Sequence, residues 1–172
     1  MNQVEYFGRG PAENYLDRNA GSMIGLYKST AEELYFPYVR PQENGHHTDT
    51  RWVSLSTGKK GLLIQADNTI GFNALRNSIE DFDDEEATGL PRQWSNFTPE
   101  QVANHDEAAA KSVLRRQHHI NDITPRDFVE VCVDLKQQGV AGYDSWGSRP
   151  EPAYTLPANR EYNWGFTLIP LK

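Results

Sequence analysis

The sequence is poor in cysteine, has no cluster of basic residues and contains no long apolar run. Its single cysteine, Cys132, cannot form an internal disulfide, and its place in the apolar run 128–135 favours a small buried hydrophobe over a nucleophile. The 17 basic side chains are outnumbered by 24 acidic ones, giving a net charge of -7, so we expect neither a nucleic-acid nor a membrane partner. No stretch approaches the length of a membrane span, and residues 1–3 do not open a signal peptide.

Several motifs of common enzyme and metal sites are also missing. There is no glycine-rich phosphate loop, no nucleophile elbow and no helical His-Glu-x-x-His. The adjacent histidines at 46–47 and 118–119 lack the same-face spacing of a local metal site, so we predict solvated or hydrogen-bonded surface side chains. The acidic run 81–86 resembles a calcium loop only superficially, because Glu86 replaces the required glycine, and we expect this run in solvent.

What the sequence does contain is a series of short strands. Alternating or apolar segments occur at 4–7, 23–27, 34–36, 52–55, 62–66, 128–135 and 162–168. Residues 8–11 predict a turn, and residues 57–61 predict a β-hairpin between the two segments that flank them. One helix is predicted over 99–116, with Thr98 as its cap and Pro99 at its first position. These elements predict a mainly β, antiparallel β-sandwich in one domain.

The stretch 139–150 has a composition typical of a shaped loop rather than a strand. Gly139, Gly142 and Gly147 surround Trp146, and glycine allows backbone conformations that bulky residues avoid. A tryptophan on such a loop either fills a core or presents its flat face to a ligand, and sugar rings have apolar faces that suit it. The residues alone leave these two alternatives open.

Three longer motifs occur in a fixed order and carry a resemblance to a known family. They are GRGPAENYLDR at 8–18, PYVRPQENG at 37–45 leading to DTRW at 49–52, and GYDSWG at 142–147. Together with the aromatic segment ahead of Pro170, they resemble the C-terminal domain of family 2 β-galactosidases. The resemblance covers nearly the whole chain.

The resemblance implies a fold and a division of labour within a longer enzyme. The domain is a galactose-mutarotase-like β-sandwich that follows a catalytic barrel, and the barrel holds both catalytic glutamates and the magnesium, with sodium as a further candidate ion. The chain at 1–172 is then the later part of one domain whose upstream portion is missing. We expect no catalytic residue and no cofactor in this part, which completes the sugar site of an enzyme that hydrolyses terminal β-D-galactosides and supports its assembly.

The resemblance also assigns residues and partners. Trp146 would stack on the sugar in the leaving-group subsite, and Asp144, Ser145 and Gly147 would support its loop. The other motif residues are expected to be structural, satisfying turns by hydrogen bonds: Glu13, Asn14, Asp17, Arg18, Glu43, Asn44, Asp49 and Arg51. The partners implied are a β-galactoside such as lactose and the remaining domains of the parent chain. Strand edges left open by a missing portion also predict association between copies.

Two alternatives from other functional classes stay open at this stage. A free-standing carbohydrate-binding module would bind sugar without the rest of an enzyme. A sugar mutarotase or epimerase, indicated only by the fold analogy, would need a histidine and a glutamate that converge in a pocket.

The chain departs from the family in segments 77–96 and 105–117, which look longer than the corresponding helical region.

Overall fold

The computed structural model of the chain describes residues 1–82, 120–144 and 146–172. The residues group into two compact units. The first unit consists of Met1–Phe36, Asn44–Arg76 and Asp127–Lys172, and the second draws on Pro37–Glu43 and Asn77–Arg126. The helix predicted over 99–116 and the loop residue Ser145 lie outside the described residues. The expectation of a single domain over 1–172 stays a prediction.

The first unit is built on one antiparallel sheet of six strands. The strands are β1 (Gln3–Gly10), β2 (Met23–Thr30), β3 (His47–Ser56), β4 (Gly61–Leu75), β5 (Glu130–Asp134) and β6 (Phe166–Leu171). Their order in the sheet is β2-β1-β3-β4-β5, and β6 also pairs with β4. The predicted mainly β, antiparallel class is therefore confirmed, and one such sheet is consistent with a fragment of a β-sandwich.

The long strand β4 determines where the segment that carries Trp146 leaves the sheet and where it returns. One edge of β4 pairs with β3, and β6 pairs with its first part, from Gly61 to Ala66. β5 pairs with its last part, from Gly71 to Leu75. Since β5 and β6 share one partner strand, the segment 135–165 leaves the sheet at the end of β5 and returns to it at β6.

The core lies against one face of this sheet. Cross-strand partners share a face, and Tyr6, Val53 and Ile64 follow one another across β1, β3 and β4 with almost no exposure. Phe72 and His47 complete an aromatic cluster with Tyr6, with ring centroids 4.8 to 5.2 Å apart. The alternation in β1, with Val4 and Tyr6 buried and Phe7 exposed, is what a sheet with one covered face requires.

Most of the predicted strands are confirmed, including the hairpin formed by β3 and β4. Three local predictions are wrong. Residues 34–36 form a turn and an irregular segment rather than a strand, and β1 continues through Gly10, so the predicted turn begins only at Pro11, after a cis peptide bond. The last strand begins at Phe166 rather than Tyr162, because Trp164 and its neighbours have left the β4 ladder.

The second unit corrects the prediction of a solvent-exposed acidic run for its first two residues, while residues 83–86 lie outside the described residues. Asp81 and Phe82, the two described members of that run, are buried. Asp81 accepts hydrogen bonds from the Arg126 guanidinium and from the Ser78 backbone N–H. Arg126 holds the pKa of the Asp81 carboxyl below its ordinary value. A carboxylate paired in this way can be buried, which the run of acidic letters alone does not reveal.

The helices among the described residues are three 3-10 segments of three or four residues each. They are Ile79–Phe82, Ile120–Asp122 and Pro152–Tyr154. None of these described helices is long and apolar enough to cross a membrane.

Candidate functional site

The tryptophan loop, defined here as residues 139–150, has an unusual backbone at three positions. Gly142 and Gly147 have φ angles of 77° and 83°, in the left-handed region that glycine adopts without a steric penalty. Ala141 also has a positive φ of 54°, although it carries a side chain, and that side chain is buried. The predicted need for glycine on both sides of Trp146 therefore has a conformational basis.

Trp146 projects from this loop into solvent. Its side chain is 93% exposed, the highest value among the described large apolar residues. Within the loop, the Asp144 carboxylate accepts a hydrogen bond of 2.7 Å from the Trp146 backbone N–H, and the Ser148 hydroxyl accepts one of 2.9 Å from the Tyr143 N–H. A Cβ added at Gly147 would meet no atom within 4 Å. The indole face is thus available to a ligand.

The base of the tryptophan loop is held by two residues of the first motif. The Asp17 carboxylate accepts hydrogen bonds from the backbone N–H groups of Val140, at 3.0 Å, and Ala141, at 2.8 Å. The Arg18 guanidinium donates to the Ala141 carbonyl oxygen. These contacts join positions 123 and 124 residues apart in the sequence. The first and third motifs therefore meet in the fold.

The middle of the first motif is bonded to the second motif. The Glu13 carboxylate accepts a hydrogen bond of 2.7 Å from the Gly45 N–H. Asn14, fully buried, accepts from both the N–H and the hydroxyl of Thr48. Its amide donates to two backbone carbonyl oxygens, those of Arg9 and Ala12. A buried amide with all of these bonds made fixes the two loops relative to each other.

Asp49 and Arg51, the last two of these motif residues in sequence, lie in the part of β3 where its register with β4 shifts. Arg9 donates to the Asp49 carboxylate at 2.6 Å, and Asp49 has a positive φ of 51° in the irregular part of β3. Arg51 donates to the Asp49 carbonyl oxygen, and its guanidinium lies over the Phe7 ring. Arg9 also donates to the carbonyl oxygens of two residues of the β1–β2 connection, Asn19 and Ser22.

Asn44 and Glu43 are adjacent in sequence but have different surroundings. Asn44 is buried, and its side-chain oxygen accepts a hydrogen bond of 2.9 Å from the Phe36 N–H. The Asn73 amide donates to the Asn44 carbonyl oxygen. Glu43 is exposed and belongs to the second unit.

The histidine pair at 46–47 contradicts the prediction of surface histidines, while the pair at 118–119 lies outside the described residues. His46 and His47 are each only 1% exposed. His46 stacks on Tyr15, and neither of its ring nitrogens has a hydrogen-bond partner within the described part of the chain. Its Nδ1 lies 3.9 Å from the Asp134 carboxylate, beyond hydrogen-bond distance. Burial, and next the neighbouring His47, lower the pKa of His46 to about 4.

His47 is also buried, and each of its ring nitrogens lies near a carbonyl oxygen, to one of which the neutral ring can donate a hydrogen bond. Its Nδ1 lies 2.9 Å from the Gly45 carbonyl oxygen and its Nε2 lies 3.2 Å from that of Pro11. Burial lowers the pKa of His47 despite these two carbonyl contacts, which favour the charged form. Both rings are inaccessible to a ligand, so they are structural groups behind the site rather than members of it.

A shallow depression of about 310 Å³ lies beside the base of the tryptophan loop. Its lining includes Leu16, Thr155, Tyr162 and Asn163. The guanidinium of Arg160 lies 4.8 Å from the centre of the Tyr162 ring. That contact covers one face of the Tyr162 ring. Trp146, in contrast, has an indole that is almost fully exposed.

The structure thus brings together residues that the sequence analysis grouped only by family resemblance. Asp17 and Arg18 contact the tryptophan loop, Glu13 and Asn14 contact the second motif, and Asp144 bonds within the loop. Sequence analysis missed Arg9, whose partner is 40 residues away, and the burial of the histidine pair. Arg9 lies inside the first motif, which was the available signal. No group of three or more His, Cys, Asp or Glu side chains suited to a metal ion occurs in the described ranges.

The fold and the loop together define a class of protein. It is a mainly antiparallel β domain that presents an exposed aromatic side chain on a loop anchored at its base. The chain belongs to the beta galactosidase small chain family, whose model matches residues 1–168. This confirms the resemblance carried by the three motifs.

Similar curated proteins include beta-galactosidases of several bacteria. A beta-galactosidase of Priestia megaterium is 34% identical over 172 residues, covering 99% of this chain and 14% of the relative. A beta-galactosidase of Streptococcus thermophilus is 29% identical over 170 residues, covering 98% of this chain and 14% of the relative. A beta-galactosidase of Vibrio cholerae is 28% identical over 167 residues, covering 97% of this chain and 12% of the relative. The chain therefore spans about one seventh of the length of these relatives.

Proposed function

We propose that the chain is a non-catalytic β-sandwich portion of a β-galactosidase and that it contributes Trp146 to the sugar-binding site. The carrying observation is that the Trp146 indole is 93% exposed on an anchored loop in a chain of this family. A flat aromatic face stacks on the apolar C–H face of a sugar ring. The site would be the leaving-group subsite, where the ring holds the departing sugar of a terminal β-D-galactoside such as lactose.

The reactive groups of the proposed enzyme lie outside this chain. A retaining glycosidase needs two carboxyl groups about 5 Å apart, one as nucleophile and one as acid and base. We assign these groups, together with magnesium and a further sodium ion, to another domain of the parent protein. In this chain the motif carboxylates Glu13, Asp17 and Asp49 are each engaged by backbone N–H groups or by an arginine. Such contacts support structural roles for them.

The first test is Trp146→Ala in the full-length enzyme that carries this chain. We expect the KM for lactose to rise by about 2- to 12-fold, because stacking is worth about 0.5 to 1.5 kcal/mol beyond area burial. Trp146→Phe keeps a smaller aromatic face and should give an intermediate value. Trp164→Ala is the matched control, since Trp164 is a half-exposed tryptophan that packs against Phe166 outside the loop. Unchanged lactose kinetics in Trp146→Ala would remove the proposed role.

The isolated chain distinguishes this function from the alternatives. It should release no nitrophenol from a nitrophenyl β-galactoside, and cleavage by the purified chain would contradict a non-catalytic role. Tight sugar binding by calorimetry would instead favour a free-standing carbohydrate-binding module. Polarimetry on galactose tests a mutarotase. The burial of His46 and His47 argues against that activity at this pair, since a sugar cannot reach either ring.

A further inference from the structure

Trp146 depends on the base of its loop for its position. The side chain is almost fully exposed, and a Cβ at the next residue, Gly147, would touch nothing within 4 Å. The hydrogen bonds found inside the loop, from Trp146 to Asp144 and from Tyr143 to Ser148, are local and exposed. Local turns of this kind shape a loop but do not orient it relative to the sheet. Among the described residues, the contacts that orient the loop lie at 139–143, where Val140, Ala141 and Tyr143 bond to Asp17 or Arg18.

Two charged side chains hold that base by the peptide groups on either side of the Ala141 Cα. The Asp17 carboxylate binds the N–H groups of Val140 and Ala141, and the Arg18 guanidinium binds the carbonyl oxygen of Ala141. Hydrogen bonds with one ionised partner are about twice as strong as those between neutral groups. With both ends of Ala141 bonded, its orientation is fixed.

The backbone at this point is one that needs external support. Ala141 has a φ of 54°, in a region that costs an ordinary L-residue about 1 kcal/mol or more. Gly142, also at positive φ, follows it and turns the chain towards the indole. The packing is close as well: a Cβ at Gly139 would lie 2.6 Å from the Asp17 carboxylate oxygen and 3.0 Å from Tyr154 Cβ. The Gly139 N–H also donates to the Tyr154 carbonyl oxygen.

We propose that Asp17 and Arg18 are the positioning residues of Trp146, fixing the base of its loop so that the indole face is held towards the sugar. The statement that the indole is held towards the sugar rests on the proposed function. Whether Asp17 fixes the position of Trp146 can be tested without any sugar. In this proposal neither residue contacts the sugar. Their effect on binding passes through the backbone of Val140 and Ala141.

The test uses the 172-residue chain labelled with 5-fluorotryptophan, observed by fluorine NMR, together with backbone amide exchange. The substitution is Asp17→Asn, which removes the charge and turns an amide N–H towards one of the two loop N–H groups. We expect exchange at Val140 and Ala141 to accelerate about tenfold. The Trp146 resonance, assigned with Trp146→Phe, should shift or narrow, while that of Trp52 stays in place.

Glu13→Gln is the matched control for this experiment. It makes the same isosteric change in the same motif, but Glu13 binds Gly45 rather than the tryptophan loop. It should leave the Trp146 resonance and the two exchange rates unchanged. If Asp17→Asn unfolds the chain, Gly139→Ala replaces it, since the new Cβ must displace the Asp17 carboxylate without altering charge. Exchange rates and a Trp146 resonance identical to those of the unsubstituted chain would overturn the proposal.

Lactose kinetics of the full-length enzyme separate this proposal from the proposed function. The KM for lactose should be about 2- to 12-fold higher in Asp17→Asn than in Glu13→Gln. Equal KM values in these two variants, where Trp146→Ala raises the KM, would overturn the positioning role. If Trp146→Ala leaves the KM unchanged, the sugar-binding function is contradicted, and the exchange rates of the 172-residue chain alone then decide whether Asp17 and Arg18 hold the loop.

Discussion

At the scale of single residues, the two buried histidines show how neighbours in sequence can differ in energetic role. His47 has a carbonyl oxygen near each ring nitrogen, whereas the His46 nitrogens have no hydrogen-bond partner among the described residues. A buried polar atom without a partner costs about 1 to 3 kcal/mol, so His46 is tolerated for its ring packing on Tyr15 rather than for its nitrogens. His46 must also stay neutral, and this makes the fold sensitive to acid.

We predict that the free energy of unfolding falls as the pH falls from about 6.5 towards 4. The pKa of His46 is about 4 in the folded chain against 6.5 ordinarily, so below pH 6.5 the unfolded chain binds a proton that the folded chain does not. The stabilisation is fully present above pH 6.5, and about 2 kcal/mol of it is lost by pH 5. Urea unfolding at pH 7 and pH 5 measures the difference.

His46→Phe should reduce this pH dependence while costing little at pH 7, since it keeps a ring and removes two unsatisfied nitrogens. His47→Phe is the comparison: it loses the contacts to Gly45 and Pro11 and should cost about 1 to 3 kcal/mol at pH 7. An unaltered difference between pH 7 and pH 5 in His46→Phe would show that another group carries the acid sensitivity.

At the scale of secondary-structure elements, β4 is the strand on which the others depend. It pairs with β3 along one edge and with β5 and β6 along the other. Gly71 lies where β4 begins to pair with β5, and the His46 ring packs directly against it. A close approach of this kind explains a glycine inside a strand, where it would otherwise weaken the element.

We predict that Gly71→Ala is destabilising by about 1 to 3 kcal/mol, the usual cost of overpacking. The new Cβ would lie 2.6 Å from His46 Nε2, and the buried ring has little room to move. Gly21→Ala is the control, because a Cβ there meets nothing within 4 Å. The measurement is the urea midpoint of both variants. Equal midpoints would mean that the ring adapts and that the contact with Gly71 is not restrictive.

At the scale of the whole molecule, the sheet has one covered face and one face that carries exposed apolar side chains. Leu26, 58% exposed, is paired with Phe7, which is paired in turn with Trp52 on the same face. β2 lies at the end of the strand order and, among the described residues, pairs only with β1. An exposed edge strand with apolar neighbours favours pairing with another chain.

We therefore predict that the isolated chain self-associates, with an average mass in light scattering that rises with concentration. Leu26→Lys should shift the chain towards the monomer, since a lysine on the edge strand β2 opposes its pairing with a strand of another copy. Val39→Lys is the matched control, because Val39 is an exposed apolar residue outside the sheet. A strict monomer at high concentration would contradict the prediction of association between copies.

Much of the fold could be predicted from the sequence because it depends on local patterns. Alternation placed β1, β2 and the hairpin of β3 and β4, and glycine around Trp146 predicted a shaped loop. The family resemblance rested on residue order in three motifs, and the family model confirms it. The end of β1 and the start of β6 were misplaced, since strand limits depend on which partner strand is within reach.

Only the tertiary structure decided which distant residues meet. Asp17 lies 123 residues before Val140, and nothing in the composition of either segment indicates that the carboxylate binds that backbone. The histidine pair at 46–47 was expected at the surface because adjacent histidines lack the spacing of a metal site, yet both rings are buried against aromatic side chains. The sequence determines which hydrogen bonds a side chain can form, how much apolar surface it can bury and which backbone conformations it can adopt. Burial and long-range partners depend on how the β4 ladder brings separate segments together, because desolvation and charge pairing arise only after that closure.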